Sequence, residues 1–156
     1  MRTQATIRIL NRLIRTCRDG EEICGACSDS TESAGLRSLL RYRSEEWGRQ
    51  GDELQALVLL LGGRPAVSSG PSANLLATWL ILRTALIGRS DVEAINLWSR
   101  VQRKGLERYE AALNGYLPER IRRTVSMHSR RVLDRSEKIG ILRGEYELPT
   151  HGLRSV

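Results

Sequence analysis

Five polar side chains that could bind a metal ion fall on the apolar stripes of predicted helices. They are two carboxylates, two amides and one imidazole: Glu21, Glu46, Gln50, Gln102 and His128. A lone buried Glu would be costly, because a low-dielectric interior disfavours its charge. A group of such residues is tolerated when it shares hydrogen bonds, a cation or a metal ion. We favour a hydrogen-bonded or salt-bridged network without a cofactor, and iron or manganese bound by these five residues is the alternative.

The three cysteines are a second set of residues that could react or bind a metal ion. Cys24 and Cys27 have the spacing of a redox motif, but such a motif depends on a helix N-terminus that lowers the thiol pKa. These two residues come late in a predicted helix, and Cys17, seven residues before Cys24, shares its apolar face. Buried cysteine packs as a small apolar side chain. We therefore expect core packing, with a redox-sensing or soft-metal pair at Cys24 and Cys27 as the alternative.

The elements that must position these side chains are long helices. Apolar residues recur three or four positions apart over four segments, which is typical of helices that bury one face. These segments are residues 6–28, 33–61, 90–114 and 118–142. A shorter apolar segment, 73–87, predicts an extra helix between the second and third. The sequence predicts an all-α, up-down four-helix bundle over residues 1–143, followed by a flexible tail, 144–156.

Composition narrows the classes of protein that the chain can belong to. The 156 residues fit one domain, and the absence of Phe leaves Leu, Ile, Val and Ala to build the core. No apolar stretch is long enough for a transmembrane helix, and the first ten residues lack a secretory pattern, so we expect a cytoplasmic protein. The net charge is +7, and 23 of the 25 basic residues are Arg. Non-specific nucleic-acid binding is therefore an alternative function, although the Arg residues are spread along every helix.

Over residues 9–142 the chain resembles an uncharacterised bacterial family of ferritin-like four-helix bundles. The resemblance rests on the order and spacing of Glu46, Trp79 and short runs: LI at 13–14, DGEE at 19–22, ELQAL at 53–57, GGRP at 62–65, YEAAL at 109–113 and LP at 117–118. It implies a ferritin-like fold and, in its metal-binding members, inward-facing carboxylates and histidines on four helices.

The chain departs from that pattern where metal ligands would be needed. Relatives tend to have Gly-Glu where this chain has Val101-Gln102, and His-Asp where it has Ser136-Glu137. Glu46 is followed three residues later by Arg49 rather than by the His of di-iron proteins. The resemblance therefore implies an inherited bundle with a degenerate metal site.

The expected function is non-catalytic, because no nucleophile–base pair is evident. We expect the protein to act through protein–protein contacts, as a homodimer. A di-metal protein with a ferritin- or rubrerythrin-like oxidase or storage role is the alternative from the same resemblance. The C-terminal sequence LPTHGLRSV is similar to the tags that dock ferritin-like cargo inside encapsulin shells, so this tail could bind a protein partner; a disordered terminus is the simpler interpretation.

Overall fold

The computed structural model describes residues 2–67 and 90–154 of the chain, and all its regular elements in these ranges are helices. They are α1 (Arg2–Ser30), α2 (Ala34–Leu60), α3 (Ser90–Asn114) and α4 (Glu119–Arg154). The predicted all-α class with four long helices is confirmed. The predicted short helix, 73–87, lies outside the described residues. No helix within them is long and apolar enough to cross a membrane.

Local signals explain both ends of α2. Ser33 caps α2, since its side chain accepts a hydrogen bond from the backbone N–H of Leu36 at 3.4 Å. After Leu61, Gly62 adopts a φ of 76°, a conformation that glycine takes without steric cost and that stops the helix. The last helix differs from the prediction, because α4 continues beyond residue 142 to Arg154. The apolar stripe ends near residue 142, and Gly144 and Pro149 beyond it have low helix propensity, so the local sequence does not predict this continuation.

Helices α1 and α2 are antiparallel neighbours. Near the end of α1, the Ser28 hydroxyl donates to the carbonyl of Arg37, early in α2, at 2.8 Å. Near the start of α1, the Asn11 side chain donates to the carbonyl of Arg64, just after α2, at 3.0 Å. The two helices therefore form a hairpin along most of their length.

Helix α1 also lies antiparallel to α3. The backbone N–H of Glu32, just after α1, donates to the Asp91 carboxylate in the first turn of α3 at 3.1 Å. Farther along, Cys17 contacts Tyr109 late in α3. Because α1 is antiparallel to both α2 and α3, these two helices run in the same direction. Up-down alternation holds within the hairpins α1–α2 and α3–α4, but not between α2 and α3.

The core contains one close approach of three helices at Trp47. The indole of Trp47, in α2, is fully buried between Gly20 of α1 and Gly105 of α3. A Cβ atom at either glycine would lie 2.6 Å from the ring, which is too close for any side chain. The two glycines therefore make room for one of the two tryptophan side chains that are buried in the described part of the core. Around it, Leu, Ile and Val side chains fill the remaining space, as the composition predicted.

Candidate functional site

A cluster of polar side chains in the middle of the bundle centres on the hydroxyl of Tyr109, in α3. Its oxygen lies 3.2 Å from Cys17 Sγ of α1 and 3.1 Å from His128 Nδ1 of α4. The amide Nε2 of Gln50, in α2, donates to the same oxygen at 3.1 Å. All four residues are buried. One hydroxyl therefore joins side chains from all four helices, and we call this set, with the residues bonded to it below, the central network.

On one side, the central network reaches the surface through His128. The second ring nitrogen, Nε2, lies 2.7 Å from Glu53 Oε2. The His128 side chain is fully buried, whereas the Glu53 side chain is 52% exposed. A continuous hydrogen-bonded path therefore runs from a carboxylate in contact with water to a buried phenol.

On the other side, the central network contains a buried cation. Arg135, in α4, is 3% exposed, and its guanidinium donates to Gln50 Oε1. Its Nε lies 2.9 Å from Glu46 Oε2, while Glu46 Oε1 accepts from Arg43 Nη1 at 2.6 Å. The guanidinium also lies over the ring of Trp47, 5.8 Å from its centroid. Both oxygens of Glu46 are thus occupied by arginine side chains.

Burial controls the protonation of the central network. It raises the pKa of Tyr109 well above its ordinary value, so the phenol stays neutral at physiological pH. It also lowers the pKa of Arg135, against the opposing effect of Glu46. Arginine nevertheless stays charged, because its ordinary pKa is so high. The centre of the bundle therefore carries a permanent positive charge.

Burial lowers the pKa of His128 below its ordinary value of 6.5, although Glu53 acts in the opposite direction. The folded state therefore binds this proton less tightly than the unfolded state. We expect the free energy of unfolding to fall as the pH decreases from about 7.5 to about 5.5, since the histidine pKa of the unfolded chain lies between these values. Urea denaturation at both pH values measures this change.

The pH dependence should be smaller in His128→Gln than in the wild type. His151→Gln gives the contribution of the second histidine of the chain. Equal pH dependence in the wild type and His128→Gln would contradict the assignment of this effect to His128.

The structure brings together three of the five predicted site residues, Glu46, Gln50 and His128, within the central network. Gln102 is buried beside it, where its amide donates to the carbonyl of Val132 at 3.0 Å. Hydrogen bonds and ion pairs of the kind favoured by the sequence therefore link these residues.

Glu21 does not lie at the bundle centre, in contrast to its predicted position. Its side chain is 41% exposed, and Oε2 lies 3.1 Å from Arg18 Nη1 at the α1–α2 boundary. The inward position of this turn is taken by Gly20, which packs against Trp47. Glu21 therefore belongs to a surface ion pair with Arg18.

A metal centre needs several donors that converge on one point. Within residues 2–67 and 90–154, no group of three or more His, Cys, Asp or Glu side chains is placed to hold a metal ion. The predicted carboxylate and imidazole ligands inside the bundle, Glu46 and His128, contact arginine, tyrosine and glutamate partners instead.

The predicted set of site residues left out three members of the central network, although a simple signal was present. Residues seven positions apart share a helix face. Each of the three follows a predicted site residue by seven positions: Glu53 after Glu46, Tyr109 after Gln102, and Arg135 after His128. Polar pairs at this spacing, repeated on three helices, indicate a polar layer that is two turns deep.

The three cysteines are buried and unpaired by disulfides. Burial raises the pKa of Cys17 and of Cys27 to about 12, and that of Cys24 well above its ordinary value. Thiols in this state are poor nucleophiles and poor metal ligands, because both roles need the thiolate. Core packing, the favoured interpretation, therefore fits all three positions.

Comparison with known proteins places the chain in a family without assigning it an activity. No curated protein matches the sequence. A family profile matches residues 5–115, which include nearly all of α1 and the whole of α2 and α3. This match covers more than half of the chain, so the chain belongs to the family described as domain of unknown function DUF2383.

Proposed function

We propose that this protein is a non-catalytic, ferritin-like bundle in which an internal ion pair occupies the place of a metal site. The observation that carries the proposal is the contact of Arg135 with Glu46 and Gln50. In ferritin-like metal proteins, inward-facing carboxylates and histidines surround a cation. Here a guanidinium supplies the positive charge from the chain itself.

Electrostatics favours this arrangement over a bound metal. A divalent ion close to Glu46 would be repelled by the guanidinium groups of Arg135 and Arg43. Repulsion between like charges is strong where water is excluded. The amide of Gln50 adds no charge to offset it, and its oxygen is already an acceptor from Arg135.

The arrangement of the described residues also favours a non-catalytic role. The Tyr109 phenol and the Cys17 thiol are buried and have raised pKa values. Glu53 is the member of the hydrogen-bonded path that is substantially exposed, and a lone exposed carboxylate is a weak catalyst. The central network is therefore suited to holding four helices together.

Metal analysis tests the proposal. We expect protein purified without chelators to contain no stoichiometric Fe, Mn or Zn, and we expect no thermal shift when these ions are added. A near-stoichiometric metal that is lost in Glu46→Gln would contradict the proposal. Glu45→Gln is the matched control, because this neighbouring carboxylate is exposed and lies off the buried face of α2.

Exposed apolar side chains support a role in protein–protein contacts. On α4, Leu133 and Ile141 are 45% and 67% exposed, and their spacing of eight residues places them on one side of the helix. At the end of α2, Leu59 and Leu60 are also exposed. We expect a homodimer in sedimentation equilibrium, weakened in Leu133→Glu. A strict monomer over a wide concentration range would contradict this part of the proposal.

A further inference from the structure

A cleft on the outside of the bundle, between α1 and α3, has a composition unlike that of the central network. Its volume is about 410 Å³. Ile9, Leu13 and Ala112, which are buried or half-buried, form an apolar floor, and Arg12, Arg15 and Arg108 also line the cleft. The three arginines come from both helices and are exposed. The cleft therefore combines an apolar surface with a concentrated positive charge.

On the α1 side of this cleft, no nearby acid of the same helix offsets the positive charge before Asp19. Residues 2–18 contain five Arg and no Asp or Glu. Within the described part of the chain, no salt bridge holds Arg12 or Arg15, and Arg108 donates to the Thr16 hydroxyl at 3.2 Å. Burial raises the pKa of Asp19, one turn beyond the cleft, while the charge of Arg108 acts in the opposite direction. The guanidinium groups of Arg12 and Arg15 thus retain donors for an anion.

We propose that this cleft binds a small phosphate ester that carries an apolar group. Arginine presents paired N–H donors that match the oxygens of a phosphate. The apolar group would cover the floor of Ile9, Leu13 and Ala112, which inorganic phosphate would leave in contact with water. The volume lies within the range of small-molecule sites, which is about 300–1,000 Å³. This cleft shares no residue with the central network, and a ligand bound there goes beyond the proposed function as a non-catalytic bundle.

The composition of the cleft favours such an ester over a nucleic acid. Proteins that hold single strands stack bases on aromatic rings, and no aromatic side chain lines this cleft. Binding to duplex DNA through the phosphates alone would not use the apolar floor. The two ligand classes therefore differ in whether an apolar substituent improves binding.

Calorimetry with hexyl phosphate, inorganic phosphate and hexanol at low ionic strength tests the site. We expect hexyl phosphate to bind at least about tenfold more tightly than either of the other two, since it alone uses both surfaces. Arg12→Gln/Arg15→Gln should weaken its binding about tenfold or more. Arg120→Gln/Arg130→Gln, which removes the same charge from exposed positions on α4, should leave the affinity unchanged.

A second variant separates the cleft from general positive charge. Ala111 lines the cleft and is exposed, so Ala111→Trp should fill the space, retain every arginine and abolish binding of hexyl phosphate. Circular dichroism and thermal unfolding verify that each variant is folded. Equal affinity for hexyl phosphate and inorganic phosphate, unchanged binding in Ala111→Trp, or equal weakening in the α4 control would overturn the proposal.

Two further experiments ask whether the phosphate belongs to a lipid or to a soluble ester, and whether duplex DNA competes for the cleft. Capture by vesicles of phosphatidylglycerol but not phosphatidylcholine, lost in Arg12→Gln/Arg15→Gln, would assign the phosphate to a lipid. Binding of hexyl phosphate without vesicle capture would assign it to a soluble ester. In a competition assay with labelled hexyl phosphate, duplex DNA and unlabelled hexyl phosphate are compared as competitors at equal phosphate concentration. Equally effective displacement by the DNA would overturn the preference for a small ester.

Discussion

Glu46→Gln should reduce the free energy of unfolding by about 3 kcal/mol, because breaking a buried ion pair leaves an uncompensated charge. The substitution preserves side-chain volume but removes the charge that faces both Arg43 and Arg135. Arg135 is 3% exposed, so water cannot replace the carboxylate in the folded state. Urea denaturation monitored by circular dichroism measures the change, with Glu45→Gln as the exposed control.

A double substitution distinguishes an unpaired charge from a simple loss of packing. Glu46→Leu/Arg135→Met removes the carboxylate together with its more deeply buried arginine partner, and such replacements of buried ion pairs are often neutral or stabilising. Arg43, the second partner, is left unpaired in Glu46→Leu as well, so the comparison of the two variants isolates Arg135. We therefore expect the double variant to be more stable than Glu46→Leu alone. If the two substitutions instead have additive destabilising effects, the ion pair is not the source of the loss.

Trp47→Ala should destabilise the protein by about 4 kcal/mol, the typical cost of truncating a large aromatic side chain in a core. The indole is fully buried and fills the space that Gly20 and Gly105 leave between α1 and α3. Its removal creates a cavity at the contact of three helices and takes the ring away from Arg135. Leu60→Ala is the control, because Leu60 is 72% exposed and should cost little.

The two glycines provide an internal check on this interpretation. Gly105→Ala should destabilise the wild type by about 1–3 kcal/mol, since its Cβ would overlap the Trp47 ring. In a Trp47→Leu background the same substitution should be tolerated, because the ring is gone and alanine favours the helix. An equal cost in both backgrounds would mean that Gly105 is required for another reason.

The helices were predictable because their signals are local. Apolar spacing and the glycines after residue 61 depend on neighbouring residues alone, and the start of α3 at Ser90 was predicted correctly. The end of α4 was not, because α4 continues past the apolar stripe through Gly144 and Pro149, residues of low helix propensity. The parallel direction of α2 and α3 depends on how separate helices pack, and no local pattern specifies it.

The site was predictable in type but not in detail. Spacing placed Glu46, Gln50 and His128 on inward faces, and the structure joins them through Tyr109 and Arg135. The pairing of these polar residues depends on how the four helices are positioned relative to one another along the bundle axis. A single sequence does not specify those positions. Glu21 was misplaced because a helical stripe is broad, and the small Gly20 takes the inward position beside Trp47. Metal binding by any of these residues stays a prediction.

The shared hydroxyl of Tyr109 has a consequence for how the protein opens. Side chains from α1, α2 and α4 each bond to this one oxygen of α3. Separation of any helix from the others therefore breaks a buried bond at the same atom and exposes partners that are costly to leave unpaired. Local opening of a single helix is therefore disfavoured near the Tyr109 hydroxyl. We expect the backbone amides near Tyr109 on all four helices to exchange with solvent as one cooperative unit, whereas those at the helix ends exchange independently.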